Sequence, residues 1–129
     1  MYESTILALG SMALLMLVQL LIADVVSIKF KHLPGSSVPT DHNSLLFRST
    51  RTAANTNESI AIFVLAILFC IFSNASPNFT AYAAWGFVGA RLTYAGFYYS
   101  NRPLLRSLTF VISLLFLLAL LLIGLSVWV

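Results

Sequence analysis

The sequence predicts an all-α membrane protein, a bundle of four transmembrane helices in a single domain over residues 1–129. Hydrophobic residues make up 60% of the 129-residue chain, and charged residues only 9%. Three long runs contain no charged residue, at 4–23, 59–90 and 107–129. A helix of about 20 mainly apolar residues crosses the hydrocarbon core of a bilayer. Each run therefore holds at least one span, and nothing in the sequence indicates a separate soluble domain.

The first and last runs each predict one helix, with spans at about 4–27 and 106–128. The middle run is too long for one helix. It is interrupted at 73–78 by Ser-Asn-Ala-Ser-Pro-Asn, a cluster of residues that form turns. The middle run therefore predicts two helices joined by a short turn, which brings the total to four.

The lengths of the two middle helices place charged residues inside the membrane. From Ser59 to the turn a helix rises only about 22 Å, and from the turn to Ala90 only about 18 Å. Both values fall short of the roughly 30 Å of hydrocarbon. The second span is therefore predicted at 51–73 and the third at 79–99, so that Glu58 and Arg91 lie within the bilayer.

The basic residues predict the orientation of the chain. They lie in two groups, with Lys29, Lys31, Arg48 and Arg51 around the loop after the first span and Arg91, Arg102 and Arg106 around the connection after the third. The positive-inside rule places both groups at the cytoplasmic face and both termini on the opposite side. The net charge of +3 is therefore a signal of topology, and no basic region is large enough to indicate a nucleic-acid partner.

Polar residues of the second and third spans fall into two stripes at helical spacing. One contains Arg51, Asn55 and Glu58, and the other contains Arg91, Tyr94, Tyr98 and Arg102. Lipid cannot satisfy such charges and donors, so ionisable residues at this depth indicate a functional site. We expect both stripes to face a cavity that lies between helices or between subunits. It opens to the cytoplasm, with Lys29, Lys31 and Arg106 around its mouth.

A purely structural interpretation is also open. Glu58 and Arg91 would then form a buried ion pair that fixes helix register, Tyr98 and Tyr99 an interfacial belt, and Arg102 and Arg106 topology anchors. One acid cannot neutralise four arginines, however, and the surplus positive charge favours an anionic ligand. Guanidinium groups suit carboxylates, Glu58 can bind an ammonium group, and Asn55 and the tyrosines can hold amides. A small zwitterionic peptide fits this set, together with a lipophilic reagent from the bilayer.

Three motifs carry a resemblance to a known family. They are Arg51-Thr-Ala-Ala-Asn55-Thr-Asn-Glu58, Ala90-Arg91-Leu-Thr-Tyr94-Ala-Gly-Phe-Tyr98 and Arg102-Pro-Leu-Leu-Arg106-Ser107. Together they resemble the signature of the MAPEG family, the membrane-associated proteins in eicosanoid and glutathione metabolism. The resemblance covers nearly the whole chain, because its length and its predicted spans agree with the family as well.

The resemblance implies a homotrimer that binds glutathione as co-substrate between neighbouring subunits, near the cytoplasmic face. The residues that it implies for glutathione binding are Lys29, Arg51, Asn55, Glu58, Arg91, Tyr94 and Tyr98. Arg106 would be the catalytic group beside the thiol, because an arginine favours the nucleophilic thiolate. Arg102 and Ser107 are additional candidates, and no metal is expected, because His32 and His42 have no partner at ligand spacing.

The function that follows is a glutathione-dependent membrane transferase or peroxidase that acts on lipophilic electrophiles. The alternative is a non-catalytic thiol- or lipid-binding member of the same fold, because Ala53 and Ser59 replace residues that can contact glutathione in relatives. A small exporter is less favoured. Such proteins tend to rely on an acid in the middle of the first span, and here Asp24 lies near its end.

Overall fold

A computed structural model describes all 129 residues and shows four helices joined by three connections. The helices are α1 (Glu3–Lys29), α2 (Leu45–Phe72), α3 (Pro77–Tyr99) and α4 (Pro103–Leu125). This architecture confirms the predicted all-α bundle. Three of the helices, α1, α2 and α4, are long and apolar enough to cross a membrane. α3 equals α4 in length, with 23 residues, but it carries the polar stripe around Arg91.

All four helices begin before the predicted spans, α1 and α3 by one or two residues and α2 and α4 by more. The larger differences arise because a charged residue ends an apolar run without ending a helix. α2 begins at Leu45 rather than near 51. The turn-forming residues of the preceding loop lie between Pro34 and Pro39, so they do not prevent a helix there. α4 begins at Pro103 rather than near 106. Proline suits a first helical turn, because the N–H group that it lacks would have no partner within the helix.

α3 is the most enclosed element, and it positions the site. Eleven of its 23 residues are buried, against five of 23 in α4. The outer faces of α1 and α4 carry a high density of exposed leucine, isoleucine and valine side chains. Such a continuous apolar surface suits lipid rather than water. The bundle therefore presents apolar side chains outwards and holds its polar residues against α3.

The apolar core lies in the half of the bundle that contains the C-terminal part of α2, after Ser59, and the start of α1. Phe63 of α2 and Phe87 of α3 stack there with ring centroids 4.4 Å apart. Cys70 is buried in the same core, where its thiol donates a hydrogen bond to the carbonyl oxygen of Leu120 over 3.1 Å. This packing holds α2, α3 and α4 together at one end. Their polar residues meet at the other end.

Candidate functional site

The polar stripe of α2 forms one connected group around Glu58. Its carboxylate accepts hydrogen bonds from Nη1 and Nη2 of Arg51 over 2.7 and 3.3 Å, and from Nδ2 of Asn55 over 3.4 Å. Positions i, i+4 and i+7 of a helix lie on the same face, which explains why these three side chains meet. The side chains of Arg51 and Glu58 remain 38% and 57% exposed. The ion pair is therefore accessible to a ligand.

Arg91 of α3 is fully buried and joins this group from behind. Its Nη2 donates to Oδ1 of Asn55 over 2.7 Å and to Oγ1 of Thr56 over 3.0 Å. Its guanidinium carbon lies 4.4 Å from the centre of the Tyr94 ring. Asn55 thus connects both stripes, since it accepts from Arg91 and donates to Glu58. Arg91 lies directly beneath Asn55 and Tyr94, and we call this buried position the floor of the site.

The direct Glu58–Arg91 ion pair of the structural interpretation is wrong. Glu58 pairs with Arg51 of its own helix, and Arg91 bonds to neutral oxygen atoms. The long Arg51 side chain spans two turns of α2 and neutralises the acid. Arg91 is shielded between α2 and α3 and reaches only the amide and hydroxyl groups that face it. Its Nε and Nη1 groups have no hydrogen-bond partner.

A cavity of about 300 Å³ opens beside this group, between α2, α3 and α4. Its lining residues are Arg51, Asn55, Tyr94, Tyr98, Arg106, Ser107, Phe110 and Val111. Polar side chains of α2 and α3 form one wall, and Phe110 and Val111 of α4 form an apolar one. Val111 is also exposed on the outer surface of α4. A polar reagent and a lipophilic one could therefore meet in this cavity.

Arg106 stands at the cavity mouth, half-buried. Its guanidinium carbon lies 4.5 Å from the centre of the Tyr98 ring, and its Nη1 lies 3.3 Å from Nδ1 of His42. The His42 ring stacks on Tyr98 with centroids 6.2 Å apart and meets the edge of Phe47 at 4.9 Å. The sequence predicted no role for His42. Nothing in a loop sequence indicates which residue will fold back against a helix 64 positions later.

Four predicted site residues do not line this cavity. Glu58 and Arg91 lie next to it, bonded to the lining residues Arg51 and Asn55, and the other two are Lys29 and Arg102. Lys29 ends α1 and is exposed, with no hydrogen bond or ion pair in the subunit. Arg102 is also exposed, immediately before α4, and lines a separate shallow depression with Pro103, Leu104 and Leu105. Of the basic residues expected around the mouth, the cavity therefore contains Arg106 and neither Lys29 nor Lys31. Ser107 lines the cavity as predicted.

The charges of the assembled site determine what it can bind. It contains three guanidinium groups, those of Arg51, Arg91 and Arg106, against the one carboxylate of Glu58, an excess of two positive charges. Such an excess near the low-dielectric membrane interior favours an anion. The accessible Glu58 carboxylate offers the opposite charge at one end. The arrangement suits a zwitterion with more negative than positive groups.

Comparison with known protein families gives a match over most of the chain. The model of the MAPEG family matches residues 5–126, a range that contains all four helices except the first two residues of α1. It also contains every residue of the cavity. No curated protein matches the chain.

Proposed function

Because the chain belongs to the MAPEG family, we propose that it is a glutathione-dependent membrane transferase or peroxidase. Membership supports an integral membrane protein with a glutathione-related function of transferase or synthase type at the level of the family. The observation that carries the finer proposal is the position of Arg106. This residue stands on the wall of a cavity that joins an anion-binding group to an apolar wall.

The residues that line the cavity, together with Glu58 and Arg91 beside it, match the functional groups of glutathione. Glu58 binds the ammonium group, while Arg51 and Asn55 hold the carboxylate of the same γ-glutamyl end. Arg91, Tyr94 and Tyr98 support the peptide from α3. The donor set supports this assignment, because guanidinium groups bind carboxylates through paired hydrogen bonds. A carboxylate that already accepts from Arg51 and remains 57% exposed still has lone pairs for an amine.

Arg106 has the chemical role. A free thiol with a pKa of about 8.5 is mostly protonated at neutral pH, and a neighbouring cation favours the thiolate. In conjugation, the thiolate forms a bond from sulfur to an electrophilic carbon, and the leaving group departs with the bonding electrons. With a hydroperoxide, the thiolate attacks the terminal oxygen and the O–O bond breaks, which gives a sulfenic acid and an alkoxide that takes a proton from water to become the alcohol. A second glutathione then reduces the sulfenic acid to give a disulfide and water.

The second reagent enters from the bilayer. Phe110 and Val111 form the apolar part of the cavity wall, and Val111 also faces the outside of the bundle. By the positive-inside rule, the end of the cavity that carries the basic residues faces the cytoplasm. A lipophilic electrophile thus reaches the cavity from the membrane, and glutathione reaches it from the cytoplasm.

Assembly into a homotrimer would complete the site. Glu58 is exposed in one subunit at a level that lies within the bilayer, which is unfavourable next to lipid. Lys29 is too far around the bundle to line its own cavity. A neighbouring subunit that covers Glu58 and supplies Lys29 would account for both facts. The trimer and the role of Lys29 are part of the proposal.

Glutathione titration and turnover test the proposed function. Detergent-solubilised protein should bind glutathione with a dissociation constant between micromolar and millimolar values, and it should conjugate glutathione to a general aromatic electrophile. Arg106→Ala should abolish turnover. Arg102→Ala removes the same charge one helical turn away, outside the cavity, and should retain it. Absence of binding at several millimolar glutathione would rule out the proposal.

A specific observation favours a second candidate, a non-catalytic thiol- or lipid-binding protein. The hydroxyl of Ser59 donates to the carbonyl oxygen of Thr56 over 3.2 Å and is buried, and Ala53 faces away from the cavity. Neither residue offers glutathione a hydrogen bond within the subunit. Glutathione binding without turnover of any lipophilic electrophile, and without hydroperoxide reduction, would favour this candidate.

A further inference from the structure

The loop between α1 and α2 reaches the cavity mouth through one side chain, that of His42. Its ring touches three elements at once. It accepts from Arg106 of α4 over 3.3 Å, stacks on Tyr98 of α3 with an interplanar angle of 22°, and meets the edge of Phe47 of α2. The Arg106 guanidinium lies over the same Tyr98 ring. His42 and Tyr98 therefore contact Arg106 from two directions.

The backbone around His42 is held in place independently of its ring. Nη1 of Arg48 donates to the carbonyl oxygen of His42 over 2.8 Å. The carboxylate of Asp41 accepts from the backbone N–H of Asn43 over 3.0 Å, and the Asp41 carbonyl oxygen accepts from the Ser44 N–H over 3.0 Å. This turn is attached directly to the start of α2. The position of the imidazole is thus set by α2 rather than by a free loop.

We infer that His42 is a positioning residue for Arg106 in the reaction proposed above, on which this inference rests. A long, half-buried arginine has many side-chain conformations, and ordering it has an entropic cost. One hydrogen bond to Nδ1 of His42 and one aromatic face restrict the guanidinium to the cavity mouth before glutathione binds. The other N–H groups of Arg106 stay available for the thiolate.

This role requires the neutral imidazole with its proton on Nε2. Only then does Nδ1 have a lone pair for the Arg106 donor. The charged and titratable groups that face His42 are Arg106 from α4, Arg48 from α2, Tyr98 from α3 and Asp41 from the loop itself. A protonated His42 would donate from both nitrogens and repel the adjacent Arg106. The contact therefore belongs to the neutral form of His42.

Two variants separate the hydrogen bond from the ring. His42→Phe keeps an aromatic ring to stack on Tyr98 but has no acceptor. His42→Asn keeps a neutral acceptor close to the position of Nδ1, without the ring and without a titrating proton. His32→Ala is the matched control, because His32 lies in the same loop and bonds only to Ser36.

The measurements are kcat and KM for conjugation, and the thiolate absorbance of bound glutathione. His42→Phe should lower kcat and the thiolate signal about tenfold, the factor expected for one hydrogen bond to a charged group, with little change in KM. His42→Asn should stay within about threefold of wild type near pH 8. His32→Ala should match wild type.

Two results would overturn the role of His42. They are a His42→Phe variant with the wild-type kcat and thiolate signal, and a His32→Ala variant that loses as much as His42→Phe. A wild-type protein that forms no thiolate would instead overturn the proposed function. In that case the His42 nitrogen spectrum by NMR still tests the contact: the Nε2–H tautomer should dominate in wild type and mix with the Nδ1–H tautomer in Arg106→Ala.

Discussion

The floor and the mouth of the cavity present the same pair of side chains in two different environments. At the floor, Arg91 lies 4.4 Å from the Tyr94 ring centre, and at the mouth Arg106 lies 4.5 Å from that of Tyr98. Arg91 is fully buried and donates to two fixed acceptors on α2. Arg106 is half-buried, and its one side-chain hydrogen-bond partner is the loop residue His42.

The difference shows that stacking on a tyrosine does not decide the role of an arginine. Burial and the supply of acceptors do. An arginine whose acceptors belong to the fold contributes to structure, and its removal leaves buried polar groups without partners. An arginine that keeps unused donors towards a cavity can stabilise a charge that appears during a reaction. The floor should therefore respond to mutation in stability, and the mouth in kcat.

The largest expected effect is that of Arg106→Ala on turnover. Loss of one preorganised charge-stabilising group typically lowers kcat by about 10²–10³-fold, and we expect a decrease in that range for conjugation. The thermal unfolding midpoint in detergent should stay near that of wild type. A decrease of less than about threefold in kcat would contradict the role assigned to the mouth.

Glu58→Gln should have the next largest effect, on glutathione affinity. The variant removes the charge that would bind the ammonium group and leaves Arg51 unpaired. We expect KM for glutathione to rise about tenfold, with kcat changed much less. Asn57→Ala is the control, because Asn57 is adjacent in sequence but lies on the α1 side of α2, outside the cavity. An equal rise of KM in both variants would show that the effect is not specific to the site.

Arg91→Ala should act on the fold. Asn55 loses its buried donor, and Thr56 its charged partner, so we expect the free energy of unfolding to fall by about 2–3 kcal/mol. Reversible unfolding in mixed detergent micelles would measure it, with Arg106→Ala compared under the same conditions. A stability loss in Arg106→Ala as large as that in Arg91→Ala would reverse the distinction between floor and mouth.

The smallest effect is expected for Gly86→Ala, which tests how closely α3 and α4, the helices of Arg91 and Arg106, must pack. A Cβ atom at Gly86 would clash with the ring of Phe116 on α4, whereas one at Gly89 would meet nothing within 4 Å. Gly86→Ala should therefore lower stability by about 1–2 kcal/mol, and Gly89→Ala should not. The same unfolding measurement checks both variants. Equal stability of Gly86→Ala and Gly89→Ala would show that the Phe116 ring can move aside without loss of stability. Close contact between α3 and α4 would then not be required at Gly86.

Much of the fold could be predicted because the membrane imposes simple rules on composition. Charge-free runs and one turn cluster predicted four helices, and helical spacing predicted that Arg51, Asn55 and Glu58 share a face. The starts of α2 and α4 were less accessible, since helices continue past the apolar run into polar sequence. Residue spacing along separate helices also cannot show which of two possible ion-pair partners a charged residue will choose. The choice of Arg51 over Arg91 by Glu58 depends on side-chain reach and on how deeply α3 is packed.

The site was predicted least well where it depends on a loop and where the proposed homotrimer would complete it. His42 belongs to a loop without a periodic pattern, so its contact with Arg106 could be found only from the three-dimensional structure. Lys29 was expected at the mouth from the distribution of charge, yet in one subunit it lies on the outer surface at the end of α1. Its role in glutathione binding remains a prediction that involves a second copy of the chain.

Thiolate absorbance of bound glutathione at neutral pH tests the division between floor and mouth most directly. Wild type and Arg102→Ala should both show the thiolate signal when saturated with glutathione, because Arg106 is intact in both. Arg106→Ala should bind glutathione through Arg51, Asn55 and Glu58 but show no thiolate signal. A full thiolate signal in Arg106→Ala would contradict the account, since another group would then be stabilising the charge.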